Sequence, residues 1–185
     1  RGAALAAVRG AHGITVDYDE LKAKRVKLGW KDRLDPVKQS IMGGIVGKDF
    51  IATHMSWGAV NEWCATAAYT RLADMESHPA LSELLRRIAK QETRHVAFYA
   101  SQARDRLNAS KKGRVITRFA LSHVWGPVGS TIMEPDEVKH VMNHLFGSPE
   151  GIEEVRRVDS HIAKLPGLTG LTIVEDSLRV RGIAA

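Results

Sequence analysis

Two long helical stretches joined by Ser77-His78-Pro79 constrain this chain more than any other feature. Apolar residues recur at helical rather than alternating spacing through nearly every long segment, so the expected class is all-α. The turn is short, and proline at a first helical position restarts the chain, so the two stretches should run antiparallel side by side. Met55, Ala59, Glu62, Thr66 and Tyr69 follow alternating four-three spacing on the first stretch. Leu81, Leu85, Ile88, Glu92, His95 and Tyr99 do the same on the second. Such positions form a seam that faces a partner helix and normally carries apolar side chains. Here it carries two glutamates and a histidine.

Equal rise on both arms of the hairpin places Glu62, Glu92 and His95 at nearly the same height. Glu92 and His95 are three residues apart, on one helix face. Burying unpaired charge costs several kcal/mol, so buried carboxylates are expected to be paired or to bind metal. Glu62 then reads as a terminal metal ligand, Glu92 as a bridging one and His95 as a nitrogen ligand, with Arg94 turned away. The competing reading is a Glu–His pair inside a salt-bridged helix interface. Bundle two-metal sites use a lone glutamate and a Glu-x-x-His, each twice, and this chain offers one such set.

The rest of the chain reads as further helices. A single helix from Pro36 to Glu76 would run ~60 Å, and Gly43, Gly44 and Gly47 are the expected breaks. Asp35-Pro36 is an N-cap pair, and Asp19–Leu28 a short basic helix. The stretch after Pro79 should run to about Asn108 and stop at Ser110-Lys111-Lys112-Gly113. Arg114–Val124 forms the next helix, broken at Gly126-Pro127-Val128-Gly129. Helices starting at Pro135 and Pro149 should end near Phe146-Gly147 and before Leu165-Pro166-Gly167. The last eighteen residues read as irregular, with a short strand at Leu171–Val174. This is one domain in three parts: 1–35 as N-terminal helix and loop, 36–125 as core helices, and 126–185 as short helices and tail.

Length and composition fit that picture. The 185 residues, 44% hydrophobic and 26% charged, suit one globular domain. No window approaches the roughly 18 apolar residues of a membrane span, and no signal peptide is evident. The one cysteine, Cys64, excludes an internal disulfide and fits a reducing, cytoplasmic compartment. The formal charge is +6. One basic cluster holds Lys22, Lys24, Arg25, Lys27, Lys31 and Arg33; another holds Arg104, Arg106, Lys111, Lys112, Arg114 and Arg118. They read as solvated helix faces or as docking sites for an acidic partner. No base-stacking aromatics interleave with them, which argues against nucleic acid.

Weaker candidates were weighed too. Glu137-Val138-Lys139-His140 repeats the Glu-x-x-His spacing but sits in a first helical turn, where capping explains the acid. His54 lies roughly 80° around the helix from Glu62, and His123 reads equally well as a core histidine. Cys64 turns away from the seam as a small buried hydrophobe. Trp30, Trp57, Trp63 and Trp125 read as core or helix-contact residues, and Tyr69 and Tyr99 as packing groups beside the acids. No glycine-rich phosphate loop or nucleophile elbow is present, and no other catalytic residue is assigned.

The block Asn61-Glu62-Trp63 … Tyr69-Thr70-Arg71-Leu72 … His78-Pro79-Ala80-Leu81 … Arg87-Ile88-Ala89-Lys90-Gln91-Glu92-Thr93-Arg94-His95 … Phe98-Tyr99 resembles the second half of the soluble acyl-[acyl-carrier-protein] desaturases, of the ferritin-like superfamily. The resemblance covers roughly residues 45–108. It implies a ferritin-like helical bundle with additional C-terminal helices, with Glu62, Glu92 and His95 as ligands of iron (or manganese). It implies an oxidoreductase that uses dioxygen on a fatty acyl chain, with an acyl carrier protein and a ferredoxin-type donor as partners. The family carries an earlier helix pair with another glutamate and another Glu-x-x-His. Here Arg9-Gly10-Ala11-His12 has the spacing, but arginine cannot ligate a metal. The missing half would lie upstream of Arg1 or come from a second chain in a homodimer. Otherwise the site is degenerate, in a non-catalytic module that binds lipid or protein.

Overall fold

The computed structural model describes residues 47–130 and 133–183. The expected helices before Gly47, the Arg9–His12 spacing, Trp30 and the first basic cluster lie outside the described residues. Those described form an all-α bundle of six helices: α1 (Lys48–Met75), α2 (Pro79–Ala109), α3 (Lys111–His123), α4 (Pro135–Phe146), α5 (Pro149–Ala163) and α6 (Ile173–Val180).

The α1–α2 hairpin forms as expected. Gly47 adopts φ 64°, a backbone angle that favours glycine, and α1 starts directly after it. At the other end Glu76 is extended, its carboxylate accepts from the His78 backbone N–H, and Pro79 restarts the helix. The Ser82 hydroxyl donates to the Ala73 carbonyl at 2.8 Å, locking the turn. Along the hairpin Arg86 meets Asp74, His95 meets Glu62 and Tyr99 meets Gly58. Partner numbers rise on one helix as they fall on the other, so the helices are antiparallel. Ala52, Ala59, Ala67 and Ala73 are buried on α1, and such small side chains let neighbouring helices come close.

Helix α6 packs on α5, and helices α3, α4 and α5 pack on α1. Toward its N-terminal half, α3 joins through a 3.0 Å bond between the Thr53 and Thr117 hydroxyls. Just past the end of α3, Trp125 Nε1 donates to Asn61 Oδ1. The C-terminal half is tied to the α4–α5 junction by Arg71, which donates to the Leu145 carbonyl and the Ser148 hydroxyl. Trp63 stacks on His161 of α5, with centroids 5.7 Å apart. Leu107, Leu121, Ile162, Leu165, Leu168 and Leu178 fill the core, fully buried. Each stabilises the fold by about 1.5–3 kcal/mol relative to exposure.

Two expectations need correction. Ser110-Lys111-Lys112-Gly113 does not merely end α2. The Ser110 hydroxyl accepts from the Gly113 backbone N–H at 2.9 Å, so Ser110 caps α3, which begins three residues earlier than expected. Nor is Leu171–Val174 a strand; among the described residues there is none. The buried Asp159 carboxylate accepts from the backbone N–H groups of Val174 and Glu175, at 3.1 and 2.9 Å, capping α6 from another helix. Ile173, Val174 and Leu178 then bury one face of it.

Candidate metal centre

The hairpin brings the three expected residues together. Glu62 projects from α1, and Glu92 and His95 from α2 (Glu92 buried, Glu62 half-buried). His95 Nδ1 lies 2.6 Å from Glu92 Oε2 and 3.8 Å from Glu62 Oε2. One ligand atom from each residue lies within 4.8 Å of the other two. Bonds of about 2.0–2.2 Å to one ion would hold donors no more than about 4.4 Å apart. Donors that lie within 4.8 Å of one another are close to that spacing. Two carboxylate oxygens and one imidazole nitrogen suit a divalent transition metal such as iron, manganese or zinc. The cluster could hold a metal ion.

The local electrostatics favour a cation. Burial holds the Glu62 carboxyl above the usual carboxylate range, and the Glu92 carboxylate beside it pushes the same way. His95 pulls it partly back. A bound cation would offset both opposing causes.

Burial differs from expectation at one ligand. The seam pattern puts all three groups in a dry interior, yet the His95 side chain is 52% exposed while that of Glu92 is 8% exposed. His95 sits about 60° around α2 from Glu92, on the side where the site opens to solvent. Arg94 is exposed, as expected from its place two residues beyond Glu92.

The secondary candidates separate cleanly. Glu137 forms a capping box with Glu134 at the start of α4, and His140 is exposed. His54 is exposed and stacks on Phe50. His123 is not a core histidine: it is exposed and stacks on Phe119. Tyr99 lies against Gly58, where an added Cβ would come within 2.4 Å of its ring. Burial pushes the Cys64 thiol up to about 12, which fits an inert packing role.

Two features escaped sequence reasoning. One is an apolar cavity of about 290 Å³ between α1, α4, the loop after α3 and the start of α6, lined among others by Cys64, Tyr69, Trp125, Val141 and Val174. Its wall includes Ala65, less than one helical turn from Glu62. No single periodicity reveals a gap among four elements. The other is Asp159, whose signal was present: an acid in the apolar row Val155, Val158 and Ile162. Comparison with family models, curated proteins and solved structures finds no match.

Proposed function

We propose that this chain is a desaturase-like, dioxygen-dependent oxidoreductase acting on fatty acyl chains, with a ferritin-like arrangement of its helices. The observation that carries the reading is the convergence of Glu62, Glu92 and His95 across the hairpin, at positions that match the metal ligands of the family resembled. Iron is the proposed ion, and once bound it would supply oxygen activation. Glu62 and Glu92 contribute oxygen donors, and His95 contributes Nδ1, the nitrogen already turned toward both carboxylates. The apolar cavity supports an apolar substrate. It presents little besides carbon to a guest, so it would hold an acyl chain away from water. The resemblance suggests an acyl carrier protein to deliver the chain and a ferredoxin-type donor to supply electrons.

A bundle two-metal site takes four carboxylates and two histidines. A homodimer that joins two such hairpins about a two-fold axis supplies that set. The exposed side of His95 supports this reading, because that is where further ligands would enter. The test is to incubate the iron-loaded protein with acyl carrier substrates, reduced ferredoxin and oxygen, then analyse the acyl chain by mass spectrometry. A product lighter by a pair of hydrogen atoms, absent with Glu92→Ala, is the expected result. No product from any acyl chain, from protein shown to hold iron, would favour the second reading. That reading is a non-catalytic module that binds lipid or protein without turnover.

A further inference from the structure

The outer face of helix α3 combines exposed apolar side chains with cations. Its sequence, Lys111 to His123, contains no acidic residue. Val115 and Phe119 lie one turn apart on it, 69% and 61% exposed. Lys111, Lys112 and Arg118 flank them, also exposed. Phe119 does not fold back on the core; its ring stacks on the exposed His123 imidazole, 4.6 Å away, and is propped outward. The row continues through Ser122 into a groove shared with α6, where Val180 is exposed. Asp176, the acid lining that groove, is paired with Arg179. Lys112 lies 4.0 Å from Asp49, and Arg118 donates to the carbonyls of Gly167 and Thr169. Those contacts fix the two side chains without using up their exposure.

We propose that the outer face of α3, with the adjoining end of α6, docks this protein on an anionic lipid bilayer. Charge complementarity selects that occupant. Exposed Val and Phe cost solubility unless something covers them, and the cations around them would sit at the level of acidic headgroups. A fluid bilayer accepts such a face, with Val115 and Phe119 entering the headgroup boundary and the lysines staying at the surface. The placement also has a consequence for the cavity. Trp125 and Pro127 line both the groove beside α6 and the apolar cavity, so docking here sets one wall of that cavity near the membrane. The docking does not depend on a bound metal or on turnover.

The test is co-sedimentation of the full chain with vesicles of equimolar phosphatidylcholine and phosphatidylglycerol, against vesicles of phosphatidylcholine alone. Binding to the anionic vesicles, weakened by salt and much weaker on the neutral ones, is expected. Lys111→Gln with Lys112→Gln should weaken it roughly thirtyfold, from the usual gain per lysine near an anionic surface. Val115→Ser with Phe119→Ser should weaken it at least about tenfold. Both pairs are exposed, so thermal melting should be unchanged and separates lost binding from lost fold. Absence of binding to anionic vesicles would overturn the proposal. So would binding that both variant pairs leave intact, which would place the contact elsewhere in this basic chain. Variants that abolish binding to an acidic carrier protein, with no vesicle binding at all, would assign the face to a protein partner and overturn it equally.

Discussion

Gly58→Ala tests the packing that sets the height of the candidate ligands. Gly58 lies one turn before Glu62, and Tyr99 one turn after His95. A Cβ at position 58 would sit 2.4, 2.6 and 3.0 Å from three ring atoms of Tyr99. Real contacts of that length do not occur, so the ring or the helices must shift. Overpacking of this kind costs about 1–3 kcal/mol. Alanine in place of glycine inside a helix returns about 1 kcal/mol. The net expectation is a loss of up to about 2 kcal/mol, or roughly 4–8 °C in Tm for a chain of this size. In a Tyr99→Ala background the clash is gone and only the propensity gain remains, so the same change should stabilise by up to about 1 kcal/mol. The coupling between the two positions is then about 1–3 kcal/mol. Urea unfolding of the four proteins measures it. Equal effects of Gly58→Ala in both backgrounds would refute the placement of Tyr99 on Gly58, and with it the register that levels Glu62 with Glu92 and His95.

Other expectations concern buried titratable groups. Burial pushes the Asp159 carboxyl from 3.8 up to about 6, against the two backbone N–H groups that favour its charged form. The folded state therefore holds the proton more tightly, and this group's contribution is largest below about pH 4 and falls as pH rises to about 6, by at most about 2–3 kcal/mol. Asp159→Asn should flatten that part of the stability–pH curve; an unchanged curve would refute the assignment. The Cys64 thiol, pushed up to about 12, should resist thiol reagents at pH 8 in the folded protein and react once urea unfolds it. Fast labelling of the native chain would contradict the raised thiol pKa.

The hairpin was legible because its signals are local and agree. Pro79 marks a start, the four-three spacing of Met55 to Tyr69 and Leu81 to Tyr99 marks facing stripes, and a short turn forces the two together. Equal distances from that turn then bring Glu62 level with Glu92 and His95. Exposure was less legible. Periodicity tells which face of α2 meets α1, not whether another helix closes the far side, so His95 was expected to be dry and is not. Helix α6 was missed because its cap is not its own: Asp159, on α5, satisfies the amides of Val174 and Glu175. The start of α3 was misplaced because Lys111-Lys112-Gly113 reads as a break until the Ser110 hydroxyl is seen to take the Gly113 amide. The cavity beside Cys64 depends on four separate elements, which no local pattern encodes.

On the proposed function, Glu62, Glu92 and His95 share one cation. Calorimetric titration of chelator-treated protein with ferrous iron under anaerobic conditions tests it most directly. Saturable uptake is expected, lost in Glu92→Ala and weakened as the Glu62 carboxyl takes up its proton at lower pH. No heat of binding, or uptake that Glu92→Ala leaves unchanged, would contradict it.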